Sequence, residues 1–311
     1  MSTAVNNDAF RDWMAPKVAA IRELTAAIEG VAERHSALPN PNSRAMGDIS
    51  DEQNYRSRSS WEQPVADAHA FGAMTLRAAT DYVRGFAELF DSQQPPIYAH
   101  LAVARSALES AVVSWWLSDP SISLLERMKR TLCELLYSAA EVNELFGDKA
   151  ARLGITDSEA RIRQWKSVAE SFGWSVNLSR TRPIIDGTKR PRVSDGIVTV
   201  SRSGADSEIG NLLFSRLSAV THVTWFGLQS AIDFVGVGPD DRSGLTTVPI
   251  GTDGSQVSAV AFYVVRLLRN AADTRFTYMG WSDEPWQAAV RAAGAIEDIF
   301  AQTVLNATKQ T

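Results

Sequence analysis

Apolar side chains recur at three- and four-residue steps along most of this chain, and that period belongs to helices. Val18, Ile21, Leu24, Ile28 and Val31 form a narrow seam that predicts a helix from about 16 to 35, closed by Pro39 and Pro41. The step returns over about 64–91, where Phe71, Met74, Leu76, Val83, Phe86 and Leu89 supply the apolar surface. Pro95 and Pro96 open a third stretch, from about 96 to 118, because proline is tolerated in a first helical turn. Ser123 and Glu126 have the spacing of a capping box ahead of a fourth, which runs to about Phe146. Thr156-Asp157-Ser158-Glu159 starts a fifth that stops at Gly173. Further helical patterns cover about 206–235, 255–273 and 282–306. The expected fold class is all-α, a multi-helix bundle of six to eight helices.

Two stretches depart from that period. Residues 39–64 are polar and rich in Asn, Ser and Arg, and read as a long loop. The expected organisation is therefore an N-terminal helix over 1–38, a polar linker over 39–64 and a helical domain over 65–311. Residues 174–205 set Val176, Ile184, Ile185, Ile197, Val198 and Val200 among Asp186-Gly187 and Asp195-Gly196, and Asp-Gly between β-prone runs is a hairpin signal. The same stretch carries Arg180, Arg182, Lys189, Arg190, Arg192 and Arg202 against Asp186 and Asp195. It reads as a small, basic, β-hairpin-like excursion from the helical body. Its charge is either an ordinary solvated surface or, over 180–202, a place for RNA.

Composition narrows the class. The 311 residues are 45% hydrophobic and 22% charged, near the average for folded chains, with a net charge of -5. Such a balance gives no general attraction to nucleic acid or anionic membrane, so any RNA binding needs a local basic patch. The single cysteine, Cys133, lies among Leu132, Leu135 and Leu136 and reads as a buried structural thiol. The first residues lack a basic region followed by an apolar run, and the most apolar stretch, 97–117, is interrupted by His100, Arg105 and Glu109. The expectation is a cytoplasmic protein without a membrane span. His35, His69 and His100 offer no metal-ligand spacing, and neither GxxxxGK[ST] nor GxGxxG occurs, so no cofactor is expected.

Two polar groups stand out against this background. Arg105 and Glu109 sit one helical turn apart on the least charged of the helices, which should be central. Charges in such a place need partners, so the two form either a structural ion pair or the fork and orienter of an anion or polar-ligand pocket. The second group runs from Leu213 to His222. On a helix continuing to about 235, Leu213, Leu217, Val220, Thr224, Leu228 and Ala231 make the core stripe. His222 then projects opposite it with Ser215, Ser218, Gln229 and Asp233, while Arg216 lies about 120° away from His222. Ser218 is thus the nearer neighbour of His222. His222 is either a packing histidine or part of a site; no nucleophile elbow accompanies Ser218.

Two resemblances attach to these residues. Gly187-Thr188-Lys189-Arg190-Pro191, Trp225-Phe226-Gly227-Leu228, Gly280-Trp281, Trp286 and the helix from Arg105 to Trp116 resemble a family of uncharacterised helical proteins common in actinobacteria. That likeness spans roughly two thirds of the chain and implies a helical fold with no established activity. Arg216 followed by His222 is similar to the Arg-x(4–6)-His of HEPN ribonucleases and toxins, although Leu217 stands where that family usually has a polar residue. The likeness implies a metal-independent endoribonuclease of a toxin or defence system. His222 would be its general base and Arg216 its phosphate clamp, brought together by a kink or by a partner in a homodimer. The expectation carried forward is a binding or regulatory protein with a pocket lined by Arg105, Glu109, Ser218 and His222, with the HEPN-like enzyme as the alternative.

Overall fold

The computed structural model describes residues 7–36, 38–55, 58–92, 96, 98–146, 149, 158–179, 182–201, 204–224, 233–234, 238–239, 246–247, 250–251 and 254–308. Among them the apolar period becomes ten helices: α1 (Asn7–Arg34), α2 (Arg44–Glu52), α3 (Pro64–Asp91), α4 (Ala99–Leu117), α5 (Leu124–Phe146), α6 (Ser158–Ser171), α7 (Val193–Val200), α8 (Gly204–Thr221), α9 (Gly254–Met279) and α10 (Glu284–Thr308). Strands β1 (Val176–Ser179), β2 (Arg182–Ile185) and β3 (Thr188–Lys189) form an antiparallel sheet in the order β1-β2-β3. Four two-residue strands make two further small ladders, β4 (Asp233–Phe234) with β7 (Ile250–Gly251) and β5 (Gly238–Pro239) with β6 (Thr246–Thr247). The all-α class with a small hairpin is the observed architecture.

Helix α4 explains its own composition. Val112 belongs to the main apolar core and Val113, its neighbour, to a second one built around Trp116, Leu132, Leu136 and Trp174. A helix lodged between two cores must be apolar nearly all round. The main core draws on α1, α2, α3, α4, α7, α8, α9 and α10. Val18, Ile21, Leu24, Ile28 and Val31 of α1 are all within it, so the N-terminal helix is part of the body rather than a tethered unit.

Several local expectations are corrected. Helix α1 begins at Asn7 and carries Pro16 inside it, because Met14 is fully buried and its packing outweighs the backbone bond that proline removes. The span 39–64 is not a plain linker, since α2 lies within it. Ser43 Oγ accepts from Met46 N at 3.2 Å to cap that helix, and Ala45, Asp48 and Glu52 on one side are buried. Asp48 there is the buried carboxylate of a network described below, which the polar composition of the segment concealed.

The basic excursion is half sheet and half helix. Asp186 and Gly187 both have positive φ (49° and 83°), the backbone a two-residue hairpin turn requires, and Ile184 and Ile185 pair with Lys189 and Thr188. Asp195-Gly196, expected to form a second turn, lies inside α7. The Asp195 carboxylate accepts from Arg192 N at 2.7 Å, and a Cβ on Gly196 would overlap Val112 of α4. Gly196 therefore serves close helix packing, not a turn. Helix α8 ends at Thr221, short of the predicted 235. His222 N and Thr224 N still donate to Ser218 O and Ala219 O (both 3.0 Å), and Val223 takes a left-handed φ of 54°. Thr224 is accordingly exposed rather than on the core stripe, Asp233 belongs to β4, and residues 225–232, with Trp225, Phe226, Leu228 and Gln229, lie outside the described residues.

The sheet docks on α5. Ile185 is buried in the second core, Lys129 Nζ donates to Asp186 Oδ2 at 2.7 Å, and Thr188 Oγ1 donates to the Glu126 carboxylate at 3.0 Å. Glu126, Arg130 and Glu134 follow one another at four-residue steps on α5. Glu126 does bond Arg130 (3.3 Å), but Glu134 is covered by the excursion and pairs with Arg190 instead. Cys133, fully buried, donates to Thr188 O, and burial pushes its thiol up to about 12, which makes it inert.

Candidate functional site

The docked sheet and α7 leave a cleft against α4, α5 and α8. Its volume is about 570 Å³, within the range of small-molecule sites. Val112 and Val113, where the two apolar cores meet, form its floor with Phe214, and above them stand Arg105, Arg182, Arg190 and Arg192. Glu109 and Glu141 are the carboxylates of its wall, so cations outnumber anions there by four to two.

Each arginine is held differently. Arg105 is largely covered, with its side chain 18% exposed, and its Nε donates to Glu109 Oε1 at 3.0 Å. Glu109 is 42% exposed, so the pair opens at the cleft. Arg105 Nη1 lies 3.2 Å from Nε2 of His222, which directly follows the last residue of α8. Arg190 lies 4.2 Å above the Tyr137 ring and 2.9 Å from Glu134 Oε1, a close pair whose atoms are not aligned as a hydrogen bond. Burial holds the Glu134 carboxyl above its usual range despite Arg190. Tyr137 donates to Glu141, and burial first, then that bond, lifts the phenol to about 12, so it remains a donor. Arg192 is exposed and pairs with no acidic side chain among the described residues.

Of the residues singled out from sequence, the structure brings together Arg105, Glu109 and Ser218 on one wall, with His222 joined to them through Arg105. His222 follows the end of α8 and its backbone N still donates to Ser218 O at 3.0 Å, which keeps the two residues adjacent. Arg216 is not part of the cleft wall. It is two residues from Ser218, about 200° around the helix. Tyr137, Glu141, Arg182, Arg190 and Arg192 were missed as members of the site. Their signal was the excess of arginine between 180 and 202, but only the docking of the hairpin on α5 aims it at Arg105. Arg180 and Arg202 lie outside the described residues.

The chemistry follows from the donor set. Guanidinium groups have no acceptor, so for the Arg105–His222 contact to be a hydrogen bond, Nε2 must be bare and the ring proton must sit on Nδ1. The cleft thus presents planar forks suited to carboxylate or phosphate oxygens, a hydroxyl from Ser218 and an apolar floor. No group of three or more His, Cys, Asp and Glu side chains among the described residues is arranged to hold a metal, and no described helix is long and apolar enough to cross a membrane. No family model, no curated protein and no solved structure matches this chain.

Proposed function

We propose that this is a cytoplasmic binding or regulatory protein that holds a small polyanionic ligand, carrying phosphate or several carboxylates, in the cleft between α4, α5, α7 and α8. The observation that carries the reading is the convergence of four arginines on one concave site with two carboxylates. Charge-assisted, bidentate bonds to such forks are roughly twice as strong as neutral ones, and a bound anion would relieve the mutual repulsion of the cations. A small ligand fits better than RNA. The cleft is lined by Glu109 and Glu141 as well as by arginines, and the chain as a whole is acidic, which disfavours an extended nucleic-acid backbone.

The HEPN-like alternative requires Arg216 and His222 at one phosphate, within a chain or across a homodimer. Helical geometry sets the two about 120° apart, and the cation beside His222 is Arg105. The test is calorimetric titration with pyrophosphate and citrate, comparing the wild type with Arg105→Gln and Arg192→Gln. Saturable binding that weakens at least tenfold in each variant supports the cleft. Absence of binding at millimolar concentration, or equal binding by all three proteins, refutes it. Cleavage of RNA in chelator that is lost in His222→Ala would favour the nuclease instead.

A further inference from the structure

A second cavity lies between α1, α3 and α9. It measures about 320 Å³, and its walls are largely apolar: Ile28, Ala32, Leu76, Phe276 and Trp281. Arg275, from the last turns of α9, forms part of the same wall and is 5% exposed. Its Nη2 donates to His69 O at 3.3 Å, leaving most of the five guanidinium donors unused. Its Nη1 packs against Gly72 so closely that a Cβ there would collide with it, and the buried Ser118 hydroxyl, which has no hydrogen-bond partner, touches the same point.

Arg275 is short of a counter-ion. The buried cluster next to it contains Arg127, Asp48, Tyr278 and His69. Asp48 in that cluster is already engaged by Arg127 Nε at 2.8 Å, by Tyr278 Oη at 2.9 Å and by Arg44 at 3.0 Å. Asp48 is thus fully engaged by other groups, and Arg275 forms no ion pair with it among the described residues. Burial, opposed in part by Tyr278 and reinforced by Arg127, lowers Arg275 to about 10. At the cavity mouth Glu29 is held by Arg84 at 2.5 Å, and neither Glu29 nor Glu33 forms an ion pair with Arg275 among the described residues. Arg77, at the same mouth, is exposed and has no ion pair among the described residues. A buried charge without an opposite charge is costly, and an anion entering from the cavity would remove that cost.

We propose that this cavity binds a monocarboxylate with an apolar body, its carboxylate on the Arg275 guanidinium and its hydrocarbon against Leu76, Phe276 and Trp281. The site is separate from the arginine-lined cleft and takes a different ligand class.

The test titrates the full-length protein with octanoate and with octan-1-ol, following amide shifts by NMR and heats by calorimetry. Octanoate should bind saturably, shift residues of α3 and α9 beside the cavity, and outbind octanol at least tenfold. Arg275→Met should remove that tenfold preference while leaving the urea midpoint unchanged or raised, because it deletes an uncompensated buried charge. Should Arg275→Met not fold, Ala73→Trp, which blocks the cavity without touching the buried cluster, should abolish octanoate binding. Equal affinity for acid and alcohol, unaltered affinity in either variant, or shifts confined to the arginine-lined cleft would overturn the proposal.

Discussion

Arg105 Nη1 and His222 Nε2 lie 3.2 Å apart although 117 residues separate them. The contact joins the middle of α4 to the end of α8 and brings one candidate group to the other. Because arginine cannot accept a hydrogen bond, it also dictates the histidine tautomer. The His222 ring should therefore carry its proton on Nδ1 and accept at Nε2. Long-range ¹H–¹⁵N correlation spectra should show Nε2 as the bare nitrogen, and Arg105→Gln should release that preference. A protonated Nε2 in the wild-type protein would mean the contact is not a hydrogen bond.

The Arg127–Asp48 pair should be the most sensitive polar point of the fold. The two side chains are 1% and 0% exposed, and the Arg127 guanidinium also donates to the carbonyls of Leu117 and Asp119 and lies 3.9 Å over the Tyr278 ring. Asp48→Asn leaves a buried cation uncompensated and should cost about 3–5 kcal/mol in urea unfolding. The double variant Asp48→Asn/Arg127→Met should recover part of that loss. A single-variant cost below about 1 kcal/mol would show the pair to be a bystander.

Two glycines in helices should respond with opposite signs. A Cβ at Gly196 overlaps Val112, so Gly196→Ala should destabilise by about 1–3 kcal/mol and weaken anion binding in the adjoining cleft. At Gly294, inside α10, an added Cβ meets nothing, and Gly294→Ala should stabilise by about 0.5–1 kcal/mol through helix propensity. Thermal unfolding of both variants beside the wild type reads the difference.

Acid sensitivity should come from two histidines, His100, which is buried, and His69, which is half-buried. Burial, with Arg275 and Arg127, pushes His69 down to about 4, and burial also pushes His100 to about 4 against the opposing bond to Pro96 O. Both folded values lie below the ordinary value of 6.5. The unfolded chain therefore takes up more protons, and their contribution is complete above that value and lost as pH falls towards 4. Each should add a slope of about 1.4 kcal/mol per pH unit within that window. Chemical denaturation across it should be steep for the wild type and visibly flatter for His100→Gln; equal slopes would remove His100 from the account.

The helical body was readable because burying one face imposes a 3.6-residue period on any helix, and α3 was placed at its observed ends from that period. The Asp186-Gly187 turn was readable because few residues accept positive φ. Asp195-Gly196 misled because the same dipeptide also suits a tight helix crossing, and only Val112, more than eighty residues away, distinguishes the two. Helix α2 was hidden because it is short, polar and stabilised by Asp48 meeting Arg127 and Tyr278, partners that no local window contains.

Sequence by itself determined the helix class, most helix positions, the central place of α4, and the candidacy of Arg105, Glu109, Ser218 and His222. Tertiary structure alone decided that Arg182, Arg190 and Arg192 line one cleft with Arg105, that Arg216 is not part of that lining, and that Arg275 is buried without an ion pair among the described residues. The physical reason is range. Periodicity and turn chemistry act over a few neighbouring residues, whereas charge balance in a cleft is set by side chains that the fold gathers from distant parts of the chain.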